Sequence, residues 1–350
     1  TKNVAESYKY VIDDLEAAIP GLPTEALPGE PTKYAAEVLL SRALLQGYAY
    51  TKNIEYLDKA ITYAKDVTEN CSLSNTYGGM FNEKDETNPE ILWGYYRLKA
   101  NSTIGGYEEL IRTYPNIGAD DVTNSKSPVK VQNPNGRTFE GWAIYFPTQD
   151  MVDQYLVTDE ETGKALPWWE TSQYKKNVDV LDPTTVTAAG QIDSYEQVNG
   201  NARRIPTPQD FAQLNSAHPT NLRYHKLKAG SETNLSKLMY SGRDARFASS
   251  IVYDGCSWIG ETVETNLGGN LSMGVRDKED GGWYNTTTGY YWRKSNIESP
   301  EPRAYFDCKV QLHYNMCRTG EAFMNLAEAY LLKKDVAKAV EALNATRVKH

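Results

Sequence analysis

Apolar residues recur every three or four positions along the last thirty residues of the chain, which is the spacing of one helix face. Two such stripes follow each other across a polar turn, and Asp335 stands where its side chain can cap the second helix. The first stripe is Phe323, Leu326, Ala327 and Tyr330, and the second is Val336, Ala339, Val340 and Leu343. The spacing predicts two helices that face each other. Such a pair cannot bury its apolar face alone, so other parts of the chain must pack against it.

Residues 1–70 show the same periodicity in three further stripes. Pro20 and Gly21 end the first of them. The stripes are Tyr8, Ile12, Leu15 and Ile19, then Ala36, Leu39, Leu40, Ala43 and Leu44, then Leu57, Ala60, Ile61, Ala64 and Val67. The second and third form a helix pair with alanine at the close contacts, as in the tetratricopeptide pattern. The two ends of the chain, 1–70 and 316–350, are therefore predicted to form a helical scaffold.

Residues 71–315 have a different texture, because Gly, Pro, Asn, Thr and Tyr dominate and apolar runs are short. Short helices are expected at 150–156 and 235–239, and short strands at 251–253 and 290–293. All seven tryptophans fall in this stretch, namely Trp93, Trp142, Trp168, Trp169, Trp258, Trp283 and Trp292. Long irregular segments in compact proteins are usually functional. We therefore predict one mainly α fold over 1–350, in which a tetratricopeptide-like scaffold carries a large loop-rich, ligand-binding insertion with short strands.

The composition and net charge of the chain argue against some classes of partner. The chain has 350 residues, 40% hydrophobic and 24% charged, which is typical of a globular protein. No apolar run approaches the roughly 18 residues of a membrane helix. A net charge of −9 argues against a nucleic-acid partner, since binding to a phosphate backbone depends on clustered Lys and Arg.

The sequence predicts neither a metal nor a cofactor. Its four cysteines form no C-x-x-C pair, and its four histidines are dispersed. The motifs of nucleotide-binding loops, zinc proteases and hydrolase elbows are absent. Residues 277–281 faintly resemble a calcium loop, but the carboxylate spacing is wrong and the closing Glu is missing, so a solvated acidic turn is the simpler interpretation.

Aromatic side chains carry the candidate binding chemistry. The chain has 25 tyrosines, and flat rings suit stacking on a sugar while neighbouring polar groups bind its hydroxyls. Trp283, Tyr284 and Asn285 follow two glycines, where burying both rings would be difficult. At Trp168 and Trp169 an extended backbone would anchor one ring and display the other. These five residues are the candidate glycan-binding site, with ordinary packing as the alternative for each ring. The tryptophans in locally apolar strings, assigned to the core, are Trp93 and Trp292.

Six segments resemble, in order, the motifs of the SusD/RagB family of outer-membrane nutrient-binding lipoproteins. They span about residues 5 to 347 when the first helix is included. The segments are A-A-E-V-L-L-S-R-A at 35–43, N-P-E-I-L-W at 88–93, P-T-Q-D-M-V-D-Q-Y at 147–155, R-D-A-R-F at 243–247 with Y-D-G at 253–255, G-Y-Y-W-R-K at 289–294, and E-A-F-M-N-L-A-E-A-Y at 321–330 with L-N-A-T-R at 343–347. These motifs determine the fold and identify no ligand residue.

The resemblance implies a non-catalytic protein, lipid-anchored on the cell-surface face of the outer membrane. Such a protein docks on a SusC-like TonB-dependent transporter and offers it a ligand, usually an oligo- or polysaccharide. The family's lipidated amino-terminal region and its carboxy-terminal continuation are expected to lie outside this chain. Membrane contact is therefore expected only through an anchor that the sequence does not contain.

Two other functions remain open from the residues alone. A glycoside hydrolase on an all-helical frame would use the same aromatic surface together with two of the 46 acidic residues. A tetratricopeptide scaffold for protein interaction would instead use the helix pairs at the two ends. Such scaffolds line a groove with several contiguous repeats, whereas here most of the chain separates the pairs.

Overall fold

The computed structural model describes residues 3–97, 112–117, 139–140, 143–182, 185–188, 191, 194–197, 222–258, 261–263, 265, 286–298 and 312–349. The chain forms two compact units. We call the first the helical unit (Thr1–Asn101 with Gln311–His350) and the second the inserted unit (Ser102–Val310).

Helices dominate the first unit, and short elements dominate the second. The helices are α1 (Val4–Ala18), α2 (Lys33–Thr51), α3 (Glu55–Asn70), α4 (Gln149–Asp153), α5 (Ser172–Asn177), α6 (Leu235–Tyr240), α7 (Ala245–Ser250), α8 (Thr319–Leu332) and α9 (Val336–Lys349). The strands are β1 (Ile91–Arg97), β2 (Asn116–Ile117), β3 (Phe139–Glu140), β4 (Val157–Thr158), β5 (Ala165–Leu166), β6 (Val178–Leu181), β7 (Ser194–Gln197), β8 (Leu222–Leu227), β9 (Ile251–Val252), β10 (Ser257–Trp258), β11 (Glu261–Thr262), β12 (Tyr291–Trp292) and β13 (Leu312–Arg318).

The helical unit buries the stripes that the sequence predicts. Leu40 and Leu44 of α2 pack with Leu57 and Ala60 of α3 and with Ala329 of α8. Because α3 and α8 come from opposite ends of the chain, their contact closes the scaffold. A mainly α scaffold with a loop-rich insertion is thus confirmed.

The last helix packs through only part of the stripe that its apolar spacing indicates, namely Ala339 and Leu343. Ala339 and Ala342 are buried, whereas Val336 and Val340 are 58% and 48% exposed. The prediction that these two valines face α8 is therefore wrong. Buried alanines at a helix crossing let the two backbones approach closely, and the bulkier valines then lie outside the contact. The capping prediction for Asp335 is confirmed, since its carboxylate accepts from the Lys338 backbone N–H at 3.3 Å.

A two-stranded ladder belongs to the helical unit. Strand β1 pairs antiparallel with β13, with Tyr95 opposite Tyr314 and Arg97 opposite Leu312. The Thr32 hydroxyl, which caps α2, also donates to the Leu92 carbonyl at 3.2 Å and so ties the ladder to the helices. Residues 71–101 consequently join the scaffold, whereas the sequence-based division at residue 71 assigned them to the loop-rich part.

The inserted unit is built from short elements around aromatic clusters. Strands β6 and β7 flank β8 in a three-stranded sheet, and β9 pairs with β12. One cluster holds Val152, Phe247, Ile251 and Tyr290. The short helices and strands expected at 150–156, 235–239, 251–253 and 290–293 are confirmed as α4, α6, β9 and β12. Among the described residues, no helix combines the length and apolar character needed to cross a membrane.

Candidate functional site

The sequence-predicted site residues divide into two groups. Trp283, Tyr284 and Asn285 lie outside the described residues, so their role stays a prediction. Trp168 and Trp169 stand in a 3-10 turn, Trp168–Glu170, rather than in the extended backbone that the sequence suggested. The Thr171 hydroxyl holds this turn by donating to the Trp168 carbonyl at 2.7 Å.

Trp168 is a core residue, contrary to a role in display. It is 1% exposed, and its ring meets the Tyr174 ring edge-on at 4.9 Å between centroids. The Tyr174 hydroxyl in turn shares a hydrogen bond of 2.7 Å with His225 Nδ1. Trp169 is half-buried and packs perpendicular to Trp168 at 6.2 Å. The turn thus directs the Trp168 ring into the core, and Trp169 remains the candidate ligand-binding ring of this pair.

A groove in the helical unit brings together aromatic residues that the sequence analysis did not combine. We call it the aromatic groove. Its volume is about 820 Å³, and its walls are residues 28–29, 86–87, 93–97 and Met316. Three regions that are distant in sequence, at 28–29, 86–97 and 316, therefore meet here. Trp93, which we had assigned to the core, is half-buried at this groove.

Hydrogen bonds fix the rings of the aromatic groove. Trp93 Nε1 donates to the Gly29 carbonyl at 3.1 Å, and the Tyr96 hydroxyl donates to the Glu86 carbonyl at 3.0 Å. The Tyr96 ring stacks on His313 with centroids 5.3 Å apart. Burial raises the pKa of the Tyr96 hydroxyl, and the nearby Glu86 charge raises it further. Since these rings are held before a ligand arrives, little conformational entropy is lost when one stacks on them.

Two glycines allow the close approach of chain segments at the aromatic groove. A Cβ at Gly94 would lie 2.8 Å from the Tyr96 ring, so any larger residue there would force that ring to move. Gly29 has φ +93°, a conformation that side-chain-bearing residues rarely adopt. The loop that accepts the Trp93 hydrogen bond therefore depends on glycine.

The outer face of the ladder extends the aromatic groove. Tyr95 is 56% exposed and stands opposite Tyr314 in the register. The Arg97 guanidinium carbon lies 5.5 Å from the centroid of each of these rings, in cation–π distance of both. Met316 is 45% exposed on the same wall. Large apolar surface left open in this way commonly marks a binding site.

A second groove adjoins the first and is more polar. We call it the polar groove; its volume is about 710 Å³. It shares Trp93 and Tyr96 with the aromatic groove and adds the exposed side chains of Thr24, Glu25 and Glu30. Its other polar lining residues are Thr32, Tyr34, Asn70, Ser72, Thr87 and Asn88. Hydroxyl, amide and carboxylate groups thus stand beside the aromatic rings.

This arrangement supports binding through stacking and hydrogen bonds. Rings with a fixed orientation offer apolar faces, and the adjoining groups offer acceptors and donors, which is the combination that a pyranose ring requires. Within the described ranges, no group of three or more His, Cys, Asp or Glu side chains could hold a metal ion. One sequence signal could have pointed to the groove, namely glycine placed between two aromatics at 93–95, because a glycine there leaves space between rings.

Comparisons with known proteins agree with this fold. The sequence profile of the SusD family matches residues 89–348. No curated protein sequence matches the chain. A SusD-like protein from Bacteroides fragilis is 18% identical with a TM-score of 0.60, covering 98% of this chain and 52% of its own. A SusD-like carbohydrate binding protein from the same species is 16% identical with a TM-score of 0.56, covering 99% and 50%.

A third solved structure, determined with a xylogluco-oligosaccharide, is 15% identical with a TM-score of 0.50 and covers 98% of this chain and 49% of its own. The present chain spans about half the length of the solved structures that it matches. The profile match covers most of the chain and includes both strands of the ladder and the helix pair α8–α9. This chain therefore belongs to the SusD family.

Proposed function

We propose that this chain is part of a non-catalytic surface protein that captures oligo- or polysaccharide. The observation that carries the proposal is the aromatic groove, in which Trp93 and Tyr96 are fixed by hydrogen bonds beside the exposed ring of Tyr95. Two of the similar structures support it, one by its name as a carbohydrate binding protein and one by its bound xylogluco-oligosaccharide. All of the described residues that line the two grooves belong to the helical unit.

Affinity electrophoresis against a panel of polysaccharides, followed by calorimetry with the best oligosaccharide, tests this proposal. Trp93→Ala removes a ring that both grooves share and is expected to weaken binding at least tenfold, or about 1.4 kcal/mol. Tyr95→Ala removes an exposed ring and is expected to weaken binding several-fold with little effect on folding. Tyr50→Ala is the matched control, because Tyr50 is 66% exposed on α2 and lines neither groove.

Two results would count against the proposal. If the wild-type protein bound no glycan, the function itself would be wrong. If it bound a glycan and both groove variants bound equally well, the site would lie elsewhere. Trp169→Ala and Trp283→Ala then decide whether the sequence-predicted residues of the inserted unit form it, alone or as a second surface.

The proposed protein binds its ligand without altering it. Incubation with the glycan that binds best, followed by a reducing-end assay, checks this point. Turnover that persists in a highly purified preparation would favour the glycoside hydrolase instead.

The proposal has two further parts. The protein delivers its ligand to a SusC-like TonB-dependent transporter, and it is lipid-anchored on the outer membrane. Membership of the SusD family supports both. Co-purification of the full-length protein with such a transporter from outer membranes tests the partner and the location together. Recovery of the protein without any transporter would remove this part of the proposal and leave glycan capture untouched.

A further inference from the structure

The charged side chains around the two grooves are unequal in sign. Glu86 lines the aromatic groove, and Glu25 and Glu30 line the polar groove. Among the described residues that line either groove, Arg97 is the only basic one. Among the described lining residues of the two grooves, carboxylate side chains therefore outnumber basic side chains by three to one.

Arg97 already has aromatic partners. Its guanidinium carbon is 5.5 Å from the ring centroid of Tyr95 and also of Tyr314, so its charge is directed toward two electron-rich ring faces. A cation–π contact leaves the positive charge of the guanidinium in place, so Arg97 offsets part of the negative potential, and the described lining residues still hold two more carboxylates than basic groups. The net charge of −9 on the whole chain has the same sign.

An ionised carboxylate only accepts hydrogen bonds. A sugar hydroxyl can donate to it, and a charge-assisted bond of this kind is stronger than a bond between neutral groups. A uronate or sulfate group on the sugar also only accepts, so these glutamates would repel it and could donate no hydrogen bond to it. Screening in physiological salt acts over about 8 Å, so charges lying closer together than this in the grooves interact appreciably.

We infer that the aromatic and polar grooves select uncharged glycans and reject glycans that carry uronate or sulfate groups. The inference rests on the proposed function and goes beyond it by naming the class of ligand. Stacking on Trp93 and Tyr96 accepts many pyranoses, and the glutamates restrict that range by charge.

The test compares polymers that differ only in charge. Polygalacturonate and its carboxyl-reduced form share one backbone, and hyaluronan with its carboxyl-reduced form gives a second pair. Neutral xyloglucan, galactomannan and β-glucan complete the panel. The reduced or neutral polymers are expected to bind at least tenfold more tightly than the charged ones in 0.15 M salt, and the preference should shrink in 0.5 M salt.

A triple variant links the preference to the grooves. Glu25→Gln with Glu30→Gln and Glu86→Gln should reduce the discrimination between charged and reduced polymers at least threefold. The matched control replaces three exposed glutamates that line neither groove, Glu55, Glu69 and Glu328, with glutamine. It changes the net charge equally and should leave the discrimination nearly unchanged.

Each result is decisive. Binding of the charged polymers as tight as or tighter than that of their reduced forms overturns the inference while leaving glycan binding intact. Equal effects of the two triple variants would assign the preference to overall charge and also overturn it. If no polymer on the panel bound the wild-type protein, the proposed function would fail first.

Discussion

The hydrophobic cores of the two units are built from different side chains. In the helical unit, alanine occupies the central crossings, and Ala60, Ala64, Ala322 and Ala329 have no exposed surface. In the inserted unit, the largest fully buried side chains are rings: Trp168, Tyr224, Phe247, Tyr290 and Tyr291. Long helices satisfy their own backbone groups and gain most by approaching closely, which small residues permit. Short irregular elements cannot do this, so large side chains fill the space between them.

Tyrosine also meets a second need of irregular structure. The Tyr290 hydroxyl donates to Gln149 Oε1 at 2.8 Å, and the Tyr291 hydroxyl accepts from the Thr286 backbone N–H at 3.0 Å. Where loops leave polar groups inside, each needs a partner. The buried tyrosines of this unit therefore serve packing and hydrogen bonding. An aromatic-rich stretch of sequence is therefore not by itself a binding surface.

Removal of a buried ring from the inserted unit should have the largest effect on stability. Trp168→Ala should lower the free energy of unfolding by about 3–5 kcal/mol, because a large side chain leaves a cavity. Denaturant unfolding followed by tryptophan fluorescence measures this, since every tryptophan except Trp93 lies in the inserted unit. Trp169→Ala, at a half-buried ring, should cost clearly less. Equal stability losses would mean that the two rings are not divided into core and surface.

The second-largest effect is the pH dependence of stability that a buried carboxyl group of the helical unit causes. Glu37 is 2% exposed, and burial, with the neighbouring Asp66 carboxylate, raises its pKa from 4.5 to about 7. Its folded state therefore holds a proton that the unfolded chain has released between these values. The contribution of Glu37 to stability is complete below about pH 4.5 and is lost as the pH rises to about 7, by about 3 kcal/mol.

Glu37→Gln should remove this pH dependence. The variant is expected to match the wild type near pH 4.5 and to be more stable near pH 8, as measured by urea unfolding across that range. Glu69→Gln, at an exposed position on α3, serves as the control. A difference between Glu37→Gln and wild type that stays constant with pH would show that Glu37 titrates normally.

A smaller loss of stability is expected when a larger side chain is placed at a close helix crossing of the helical unit. Ala60→Leu inserts a larger side chain between α3 and its partners and should destabilise the protein by about 1–3 kcal/mol. Ala49→Leu makes the same change at an exposed position of α2 and should be nearly neutral. Thermal unfolding followed by far-ultraviolet circular dichroism compares the two. An Ala60→Leu variant as stable as wild type would show that this crossing has room.

The smallest loss of stability is expected when a helix cap is removed, and it should be similar in the two units. Thr32 caps α2 by accepting from the Ala35 N–H at 3.1 Å, and Thr171 caps α5 by accepting from the Tyr174 N–H at 3.3 Å. Thr32→Ala and Thr171→Ala should each cost about 1 kcal/mol, and the serine variants, which keep the hydroxyl, should cost less. Differential scanning calorimetry resolves such changes. A much larger loss at only one threonine would indicate that its second bond, to Leu92 or to Trp168, dominates.

The helices of the scaffold could be predicted from the sequence because each one depends on residues that are close together in the chain. A three- and four-residue spacing identifies the buried face of α2 and α3, and an acidic residue before α9 identifies its cap. Spacing alone failed at Val336 and Val340, since it shows that apolar residues share a face but not which of them the partner helix reaches. Their exposure is set by the alanines that contact α8.

The candidate site was harder to predict because it depends on distant segments. The aromatic groove needs residues 28–29, 86–87 and 93–97 together, and the local apolar string around Trp93 indicated a core position instead. The backbone at Trp168 differs from the expected extended conformation for another reason. Its turn is held by a hydroxyl three residues later, and nothing in the spacing of the two tryptophans distinguishes that turn from a strand.

The order of elements along the chain has a consequence for synthesis on the ribosome. Helix α3 packs on α8, yet roughly 250 residues separate them, so at about 5–20 residues per second the face of α3 waits on the order of 10 to 50 s for its partner. During that interval Leu57, Ala60 and Ala64 have no α8 to cover them. Strand β13 emerges just before α8 and pairs with β1, which has waited almost as long. Until α8 has been synthesised, this apolar surface can associate with other chains, and a chaperone that binds apolar segments would prevent such association.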